Sequence, residues 1–182
     1  MSRAFTLIET LITIALFAVL MLAVTQLYAV YGRIISSQGS TLTVALGASG
    51  IIDAVHTAGL QADHVVATHA FPNITLDSGT TTVVFELPAI DASGAILPNA
   101  YDYVGIYASG TDAYRITDAA SGSARVSGTK RLTDVLEALL FTYDNISFPS
   151  VASLTVSATT SAATHGTTAQ THLQQHIYLR NL

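Results

Sequence analysis

Histidine is the residue type in this chain whose spacing most readily suggests chemistry. His172 and His176 are four residues apart, which on a helix would place both on one face, as a zinc site requires. No acidic residue follows them, and on a strand they would lie about 13 Å apart. We therefore predict no metal site, and we interpret His56, His64 and His69 as solvated or capping residues.

Two acidic turns are candidates for calcium binding. Asp77-Ser-Gly and Asp91-Ala-Ser-Gly each offer a carboxylate beside a glycine. An EF-hand needs several oxygen ligands at fixed spacing, and these segments are too sparse to supply them. The sequence therefore predicts turns at both places and assigns no calcium site.

A glycine-rich basic segment superficially suggests phosphate binding. It runs Gly-Ser-Ala-Arg-Val-Ser-Gly-Thr-Lys over residues 122–130. Lys130 does not directly follow the second glycine, so the spacing is wrong for a P-loop. We predict a basic surface loop carrying Arg125, Lys130 and Arg131. The chain also has no Gly-x-Ser-x-Gly elbow and no cysteine, so we predict neither an enzyme nor a cofactor.

The composition narrows the function classes further. Apolar residues make up 50% of the 182 residues and charged residues 10%, against about 25% in a typical soluble domain. This balance indicates a membrane segment or a packed assembly. The formal net charge is −5, with seven Lys and Arg in all. Nucleic-acid binding through phosphate contacts is therefore not predicted.

An uncharged apolar stretch near the N-terminus is long enough to cross a bilayer. No residue from Thr10 to Gly32 is charged, and about 20 helical residues span the hydrocarbon core. A secretory signal cut near Ala29 and an ordinary one-pass anchor are two simple interpretations. Glu9 argues against both, because a carboxylate in an apolar helix is costly and indicates a functional partner.

A cationic partner for Glu9 can be proposed. If the chain were cut between Ala4 and Phe5, the new α-amine of Phe5 would be positively charged. Glu9 lies four residues further along the same helix face. It could then pair with its own amine or with the amine of a neighbouring subunit, which would offset the cost of burying both charges.

The motif Phe5-Thr-Leu-Ile-Glu9, preceded by a short leader with Arg3 and followed by an apolar helix, resembles the type IV prepilin signature. This family includes major and minor pilins and the pseudopilins of type II secretion. The resemblance implies cleavage after Ala4 by a membrane-bound prepilin peptidase, N-methylation of Phe5, and docking of Glu9 to the amine of the preceding subunit.

The chain departs from the family pattern at two positions. The family usually has glycine immediately before the cut, where this chain has Ala4. Many major pilins have proline at the position of Gln26, and a disulfide loop that a chain without cysteine cannot form. These departures favour a minor pilin or a pseudopilin over a major pilin.

The remaining periodicity predicts an α+β fold, in which a long N-terminal helix packs on an antiparallel β-sheet as in a pilin-like roll. Apolar residues at helical spacing extend to about Val66, with a kink or break near Gly47–Gly50 and a stop at Phe71-Pro72. The predicted segments are a leader (1–4), a transmembrane or filament-core helix (5–32), its amphipathic continuation (33–71) and a sheet domain (72–182).

Within the sheet domain, alternation and turn residues predict the individual elements. Tyr101–Tyr107 and Ala113–Thr117 are predicted to form a hairpin. Leu132–Leu140 is predicted to be a short helix capped by Thr133 or Asp134, and Ser157–Thr171 a mobile loop. The other predicted strands are Thr80–Leu87, Leu139–Tyr143, Val151–Ala158 and His172–Leu179.

Two functions remain open at this point. The first is a structural filament subunit in the inner membrane, with its C-terminal domain outside the cytoplasm. Its partners would be other pilin-like subunits, the prepilin peptidase, the inner-membrane assembly machinery and the lipid bilayer before assembly. The alternative is an anchored or exported binding module. Tyr101, Tyr103, Tyr107 and Tyr114 could give it a binding surface, although their alternation favours packing.

Overall fold

A computed structural model describes residues 7–164 and 167–179, so Ala4 and Phe5 lie outside the described residues. One long helix is followed by antiparallel β-strands and a short 3₁₀ turn at Phe148–Ser150, which confirms the predicted α+β class. The helix is α1 (Leu7–Gly59), and the strands are β1 (His64–Val65), β2 (Thr68–Phe71), β3 (Ile74–Asp77), β4 (Thr82–Ile90), β5 (Ile96–Ser109), β6 (Asp112–Asp118), β7 (Gly128–Thr133), β8 (Leu136–Tyr143), β9 (Ser153–Thr164) and β10 (Thr167–Tyr178).

Helix α1 ends at Gly59, so the prediction that it continues to about Val66, within a helical segment 33–71, is wrong. The backbone leaves the helix because the next residues pair with the sheet. The amide of Asp63 donates to the carbonyl of Glu86 at 2.9 Å, and β1 follows directly. Sheet pairing therefore overrides the helical spacing of the apolar residues.

The predicted kink or break near Gly47–Gly50 is not a break, because α1 is continuous from Leu7 to Gly59. These glycines mark a close approach of the helix to β7. A Cβ atom on Gly47 would lie 2.5 Å from Oγ1 of Thr133, and one on Gly50 would lie 3.8 Å from the carbonyl oxygen of Leu132. At Gly47 the close contact between helix and strand therefore leaves no room for a larger side chain, whereas at Gly50 a Cβ atom would make an ordinary van der Waals contact.

Three antiparallel sheets follow the helix. Five strands pair in the order β1-β4-β5-β6-β7, three in the order β10-β9-β8, and β2 with β3. The predicted hairpin is confirmed as β5 and β6, which turn at Gly110 with a φ of +61°. The C-terminal half of α1 packs mainly on β9 and β10.

The segment Leu132–Leu140 is not a helix. Thr133, predicted as a helix cap, pairs with Ala113 at the end of β7, and β8 begins at Leu136. The prediction failed because a β-bulge between Leu136 and Ala138 shifts the register of β8. As a result Leu136 and Leu139 are both buried at a three-residue spacing that imitates a helix.

The segment Ser157–Thr171, predicted as a mobile loop, lies in strands β9 and β10 apart from residues 165–166, which are outside the described residues. Its threonines are β-branched and suit a pleated strand. The small side chains also let α1 approach closely. Thr160 is fully buried, and its hydroxyl donates to the carbonyl of Val44 at 2.7 Å.

The structure has two apolar cores. The larger one lies between α1 and the two main sheets and contains Ile51, Val55, Phe85, Phe141 and Leu154, among others. The smaller one lies under the β2–β3 hairpin, on the other face of the five-stranded sheet, and contains Phe71, Leu76, Val84 and Ile116. The hairpin thus covers a sheet face that would otherwise be open to water.

The turn predicted at Asp91 is confirmed, whereas the basic loop differs from its prediction at Arg125. Oδ1 of Asp91 accepts hydrogen bonds from the amides of Ser93 and Ala95 at 2.8 and 2.9 Å, which confirms that turn. Arg125, however, is not a solvated surface residue. Its guanidinium lies 2.6 Å from Oδ2 of Asp102, whose carboxylate is fully buried.

Candidate assembly helix

The N-terminal part of α1 extends from the sheet domain without being covered by it. We call residues 7–43 the exposed arm. The first buried residue of α1 is Val44, and none of the described residues before it is buried. Large apolar side chains on the arm are open to solvent, as shown by Leu7 at 79% and Leu22 at 66% exposed.

The exposed arm is longer than a bilayer is thick. Its 37 helical residues would extend about 55 Å, whereas the hydrocarbon core measures about 30 Å. By length and composition, α1 is able to cross a membrane. Full burial of each large aliphatic side chain is worth about 1.5–3 kcal/mol. The arm therefore requires a cover of lipid or protein along most of its length.

The threonines of the arm do not interrupt its apolar surface. The hydroxyl of Thr13 donates to the carbonyl of Glu9 at 2.7 Å, and that of Thr25 donates to the carbonyl of Met21 at 2.8 Å. Such bonds to the preceding turn satisfy the hydroxyl hydrogens within the helix. Between Thr10 and Gly32 the arm can thus enter a low-dielectric environment without carrying a formal charge.

Glu9 lies on an exposed position in the first described turn of α1. A carboxylate near a helix N-terminus is stabilised by the helix dipole, although this effect is modest. The predicted partner of Glu9 is the α-amine of Phe5, which lies outside the described residues. The structure therefore places Glu9 on the exposed arm, while the pairing itself and the processing at Ala4 stay predictions.

His69, His172 and His176 each contact a polar side chain on another strand. His172 and His176 lie on β10, where Nδ1 of His172 contacts the hydroxyl of Thr159 at 3.0 Å and Nδ1 of His176 contacts that of Thr155 at 2.9 Å. His69, on β2, was predicted to be solvated or capping. Instead its Nε2 lies 3.1 Å from Oδ2 of Asp118. The contacts of His172 and His176 join the paired strands β9 and β10, and that of His69 joins the β2–β3 hairpin to β6 of the five-stranded sheet.

One group of potential metal ligands was missed by the sequence analysis. Nδ1 of His64 lies 3.5 Å from Oδ2 of Asp63, and its Nε2 lies 3.7 Å from Oε1 of Glu86. The ligand atoms of these three residues lie within 4.8 Å of one another and are chemically able to hold a divalent cation. Only the pairing of β1 with β4, which places His64 opposite Glu86, brings them together.

Tyr103, Tyr107 and Tyr114 pack, as their alternation predicted, whereas Tyr101 is 42% exposed. The ring of Tyr103 stacks on His69 with centroids 3.7 Å apart, and Tyr107 stacks on Tyr114 at 5.5 Å. Burial, followed by a hydrogen bond to Glu86, raises the pKa of Tyr103 to about 12. A hydrogen bond to Asp112 raises the pKa of Tyr114. These rings therefore stabilise the sheet.

Comparison with known families gave a match for the N-terminal segment. Residues 1–25 match a family model described as a prokaryotic N-terminal methylation motif. The matched residues overlap the N-terminal part of the long apolar helix. The chain fits a type IV pilin-like prepilin. Comparisons with curated proteins and with solved structures found no match.

The methylation motif and the apolar helix support two coarse statements. Proteins with this motif are structural rather than enzymatic, and the apolar helix near the N-terminus indicates membrane anchoring. The match covers the first 25 residues, so the organisation of the sheet domain rests on the structure alone.

Proposed function

We propose that this protein is a structural subunit, a minor pilin or a pseudopilin, of a type IV pilus-like or type II secretion filament. The observation that carries the proposal is the exposed arm. It is a continuous helix from Leu7 to Thr43 that its own sheet domain does not cover, and it begins within the methylation motif. A filament whose core is made of such helices would cover it.

The proposed sequence of events begins in the inner membrane. The uncharged stretch from Thr10 to Gly32 lies in the bilayer, with Arg3 on the cytoplasmic side and the sheet domain outside the cytoplasm. The prepilin peptidase then cleaves after Ala4, and the new N-terminus at Phe5 is methylated. The inner-membrane machinery transfers the subunit into the filament, where apolar side chains of neighbouring helices replace lipid.

The polar end of the arm supports this arrangement. Residues 33–43 contain Arg33, serines, threonines, a glutamine and a glycine together with Ile34, Ile35 and Leu42, and none of them is buried. They would extend about 16 Å beyond the uncharged stretch before α1 first packs on the sheet domain at Val44. The segment thus separates the domain from the membrane, and in a filament it leaves room for the domain of an adjacent subunit.

Glu9 would supply the contact between subunits. In the low-dielectric core of a filament, an unpaired carboxylate is costly and a carboxylate paired with an amine is much less so. The amine of Phe5 in a neighbouring subunit is the partner that the sequence offers. No other acidic residue occurs before Asp53, so this pairing depends on Glu9 alone.

The first experiment is to determine the intact mass and N-terminal sequence of the protein from its native membrane or filament fraction. We expect a chain that begins at N-methylated Phe5. A variant with Ala4→Gly, which restores the residue usual in the family, is the matched control and should be processed at least as completely.

Other N-termini would contradict the proposal. A chain beginning near Val30 would identify a signal peptide and an exported domain. A chain that still begins at Met1 in the wild type, but at Phe5 in the Ala4→Gly variant, would show that Ala4 blocks processing. A chain beginning at Met1 in both would identify a plain membrane anchor and favour the binding-module alternative.

A further inference from the structure

Two cationic side chains lie opposite each other at one edge of the five-stranded sheet. Arg115 on β6 pairs in register with Lys130 on β7, the outermost strand of that sheet. Like charges directly opposite each other destabilise a sheet. Within residues 7–164 and 167–179, no carboxylate oxygen lies within 4 Å of the cationic nitrogens of either residue. The repulsion is therefore not offset by an acid of the described chain.

Arg115 also carries an unsatisfied donor. Its Nε is buried and has no hydrogen-bond partner. The reason for the burial is visible in the register, because the neighbour of Arg115 on the other side is Ile106, a fully buried core residue. Buried polar groups are nearly always paired in folded proteins, so an orphaned guanidinium nitrogen indicates a missing partner.

A cavity of about 380 Å³ opens beside these two cations. Its wall includes Ser127, Gly128 and Thr129, so the basic segment that fails as a P-loop in sequence still lines a space next to Arg115. The oxygen of Ser127 already accepts a hydrogen bond from the amide of Ala119 at 2.9 Å. Its hydroxyl hydrogen therefore remains able to donate to a ligand.

We propose that Arg115, Lys130 and Ser127 form a binding site for one tetrahedral oxyanion, a phosphate or sulfate group. Such a group would accept hydrogen bonds from the guanidinium, neutralise the facing ammonium and accept the serine hydrogen. The shared chemistry covers a free inorganic anion and the same group esterified to a sugar.

A phosphate of the surrounding membrane is too far away. Thr133 of β7 lies against Gly47, which is 15 residues beyond Gly32 at the end of the uncharged stretch, or about 22 Å along the helix. Leu132 lies against Gly50, so β7 runs towards the membrane as its numbering rises, and Lys130 lies further away still. The ligand must reach the site from the extracytoplasmic side.

The test is calorimetric titration of the full chain in detergent micelles with inorganic phosphate, at constant ionic strength maintained with chloride. We expect saturable one-to-one binding with a Kd of about 1 mM or tighter. Sulfate should compete and chloride should not. Arg115→Gln should weaken binding by about tenfold or more, and Lys130→Gln by severalfold.

Arg131→Gln is the matched control. This residue is the next cation on β7, but it is exposed and lies near Asp112 and Asp134 at 3.8 and 3.4 Å. The Arg131→Gln variant should bind phosphate with the same affinity as the wild type. An absence of saturable binding, or an equal loss of affinity in Arg131→Gln, would overturn the proposal.

Two further measurements make the result decisive. If Arg115→Gln does not fold, the test relies on thermal unfolding, in which a given concentration of phosphate should raise the Tm of the wild type by more than it raises that of Lys130→Gln. A rise of equal size in both proteins would contradict the site. Glucose 6-phosphate is then titrated: binding equal to that of inorganic phosphate supports an esterified ligand, and binding of the inorganic anion alone supports a free one.

Discussion

Asp102 on β5 and Arg125 in the loop after β6 form a buried ion pair with 2.6 Å between Oδ2 and the guanidinium nitrogen. The carboxylate also accepts hydrogen bonds from the amide of Ala120 and the hydroxyl of Ser123, both at 2.7 Å. The other guanidinium nitrogen donates to the side chain of Gln61, just beyond the end of α1, at 2.9 Å. One carboxylate thus connects the sheet, the loop and the end of the helix.

Arg125→Ala should destabilise the sheet domain by about 3–5 kcal/mol, because it leaves the carboxylate of Asp102 buried without its cation. Urea unfolding in detergent, followed by tyrosine fluorescence in this tryptophan-free chain, measures the change. Arg131→Ala is the control, since its guanidinium is 55% exposed and its ion pairs are worth less than about 1 kcal/mol. Equal losses in the two variants would show that the buried pair has no special role.

Gly47→Ala should lower the free energy of unfolding by about 1–3 kcal/mol, although alanine is the better helix former by about 1 kcal/mol. The added methyl group would collide with Thr133, which is buried and unable to move away cheaply. Gly39→Ala serves as the comparison because its Cβ would meet nothing within 4 Å. The same urea experiment should show no loss for Gly39→Ala. A stabilised Gly47→Ala variant would contradict the close approach of α1 to β7.

The stability of the fold should fall as the pH rises from about 10 to about 12. The pKa of Tyr103 is raised to about 12 in the folded state, mainly by burial and then by Glu86, from an ordinary value of 10. Between these values the unfolded chain loses the phenolic proton while the folded chain keeps it. The contribution of Tyr103 to the stability of the folded state is therefore complete below pH 10. It is lost as the pH rises through the pKa that Tyr103 has in the folded state.

The urea midpoint as a function of pH measures this effect. Tyr103→Phe should reduce the slope above pH 10, whereas Tyr178→Phe, at a ring that is 70% exposed, should leave it unchanged. Glu86→Gln should return the pKa of Tyr103 only part of the way towards its ordinary value of 10, because burial is the larger cause of the raised pKa. A slope that is the same in Tyr103→Phe as in the wild type would assign the effect to other groups.

Glu9→Gln and Glu9→Leu should both insert into the membrane normally but enter the filament about tenfold less efficiently or worse, since each removes the charge that pairs with the amine of a neighbour. The ratio of subunit in sheared filaments to subunit in membranes, measured by immunoblot, tests this. Normal incorporation of Glu9→Leu would refute the amine-pairing idea. Reduced insertion of both variants would instead assign Glu9 a role before assembly.

The sequence was sufficient to predict the features that depend on local patterns. The uncharged stretch from Thr10 to Gly32 predicts the helix, and the alternation of Tyr101–Tyr107 predicts β5 with its hairpin partner. The helix end could not be predicted in the same way, because Asp63 leaves the helix to bond with Glu86, which is distant in sequence.

Two wrong predictions of secondary structure have the same physical cause. The bulge at Leu136 gives a strand the spacing of a helix, and the composition of Ser157–Thr171 gives a strand pair the appearance of a loop. In both cases the partner strand decides the structure, and the partner is not visible in the local pattern. The groups around His64 and Arg115 were missed for the same reason, since cross-strand register alone assembles them.

The continuity of α1 has a consequence for how this protein tolerates changes in length. No loop, proline or turn separates the uncharged stretch from Thr10 to Gly32 from the residues that pack on β9 and β10. Each residue of an α-helix contributes a rotation of about 100° and a rise of about 1.5 Å. Inserting one residue after Arg33 would therefore turn the whole sheet domain by roughly a quarter of a circle relative to Glu9. The number of residues between Glu9 and Gly47 sets the direction in which the domain faces relative to Glu9.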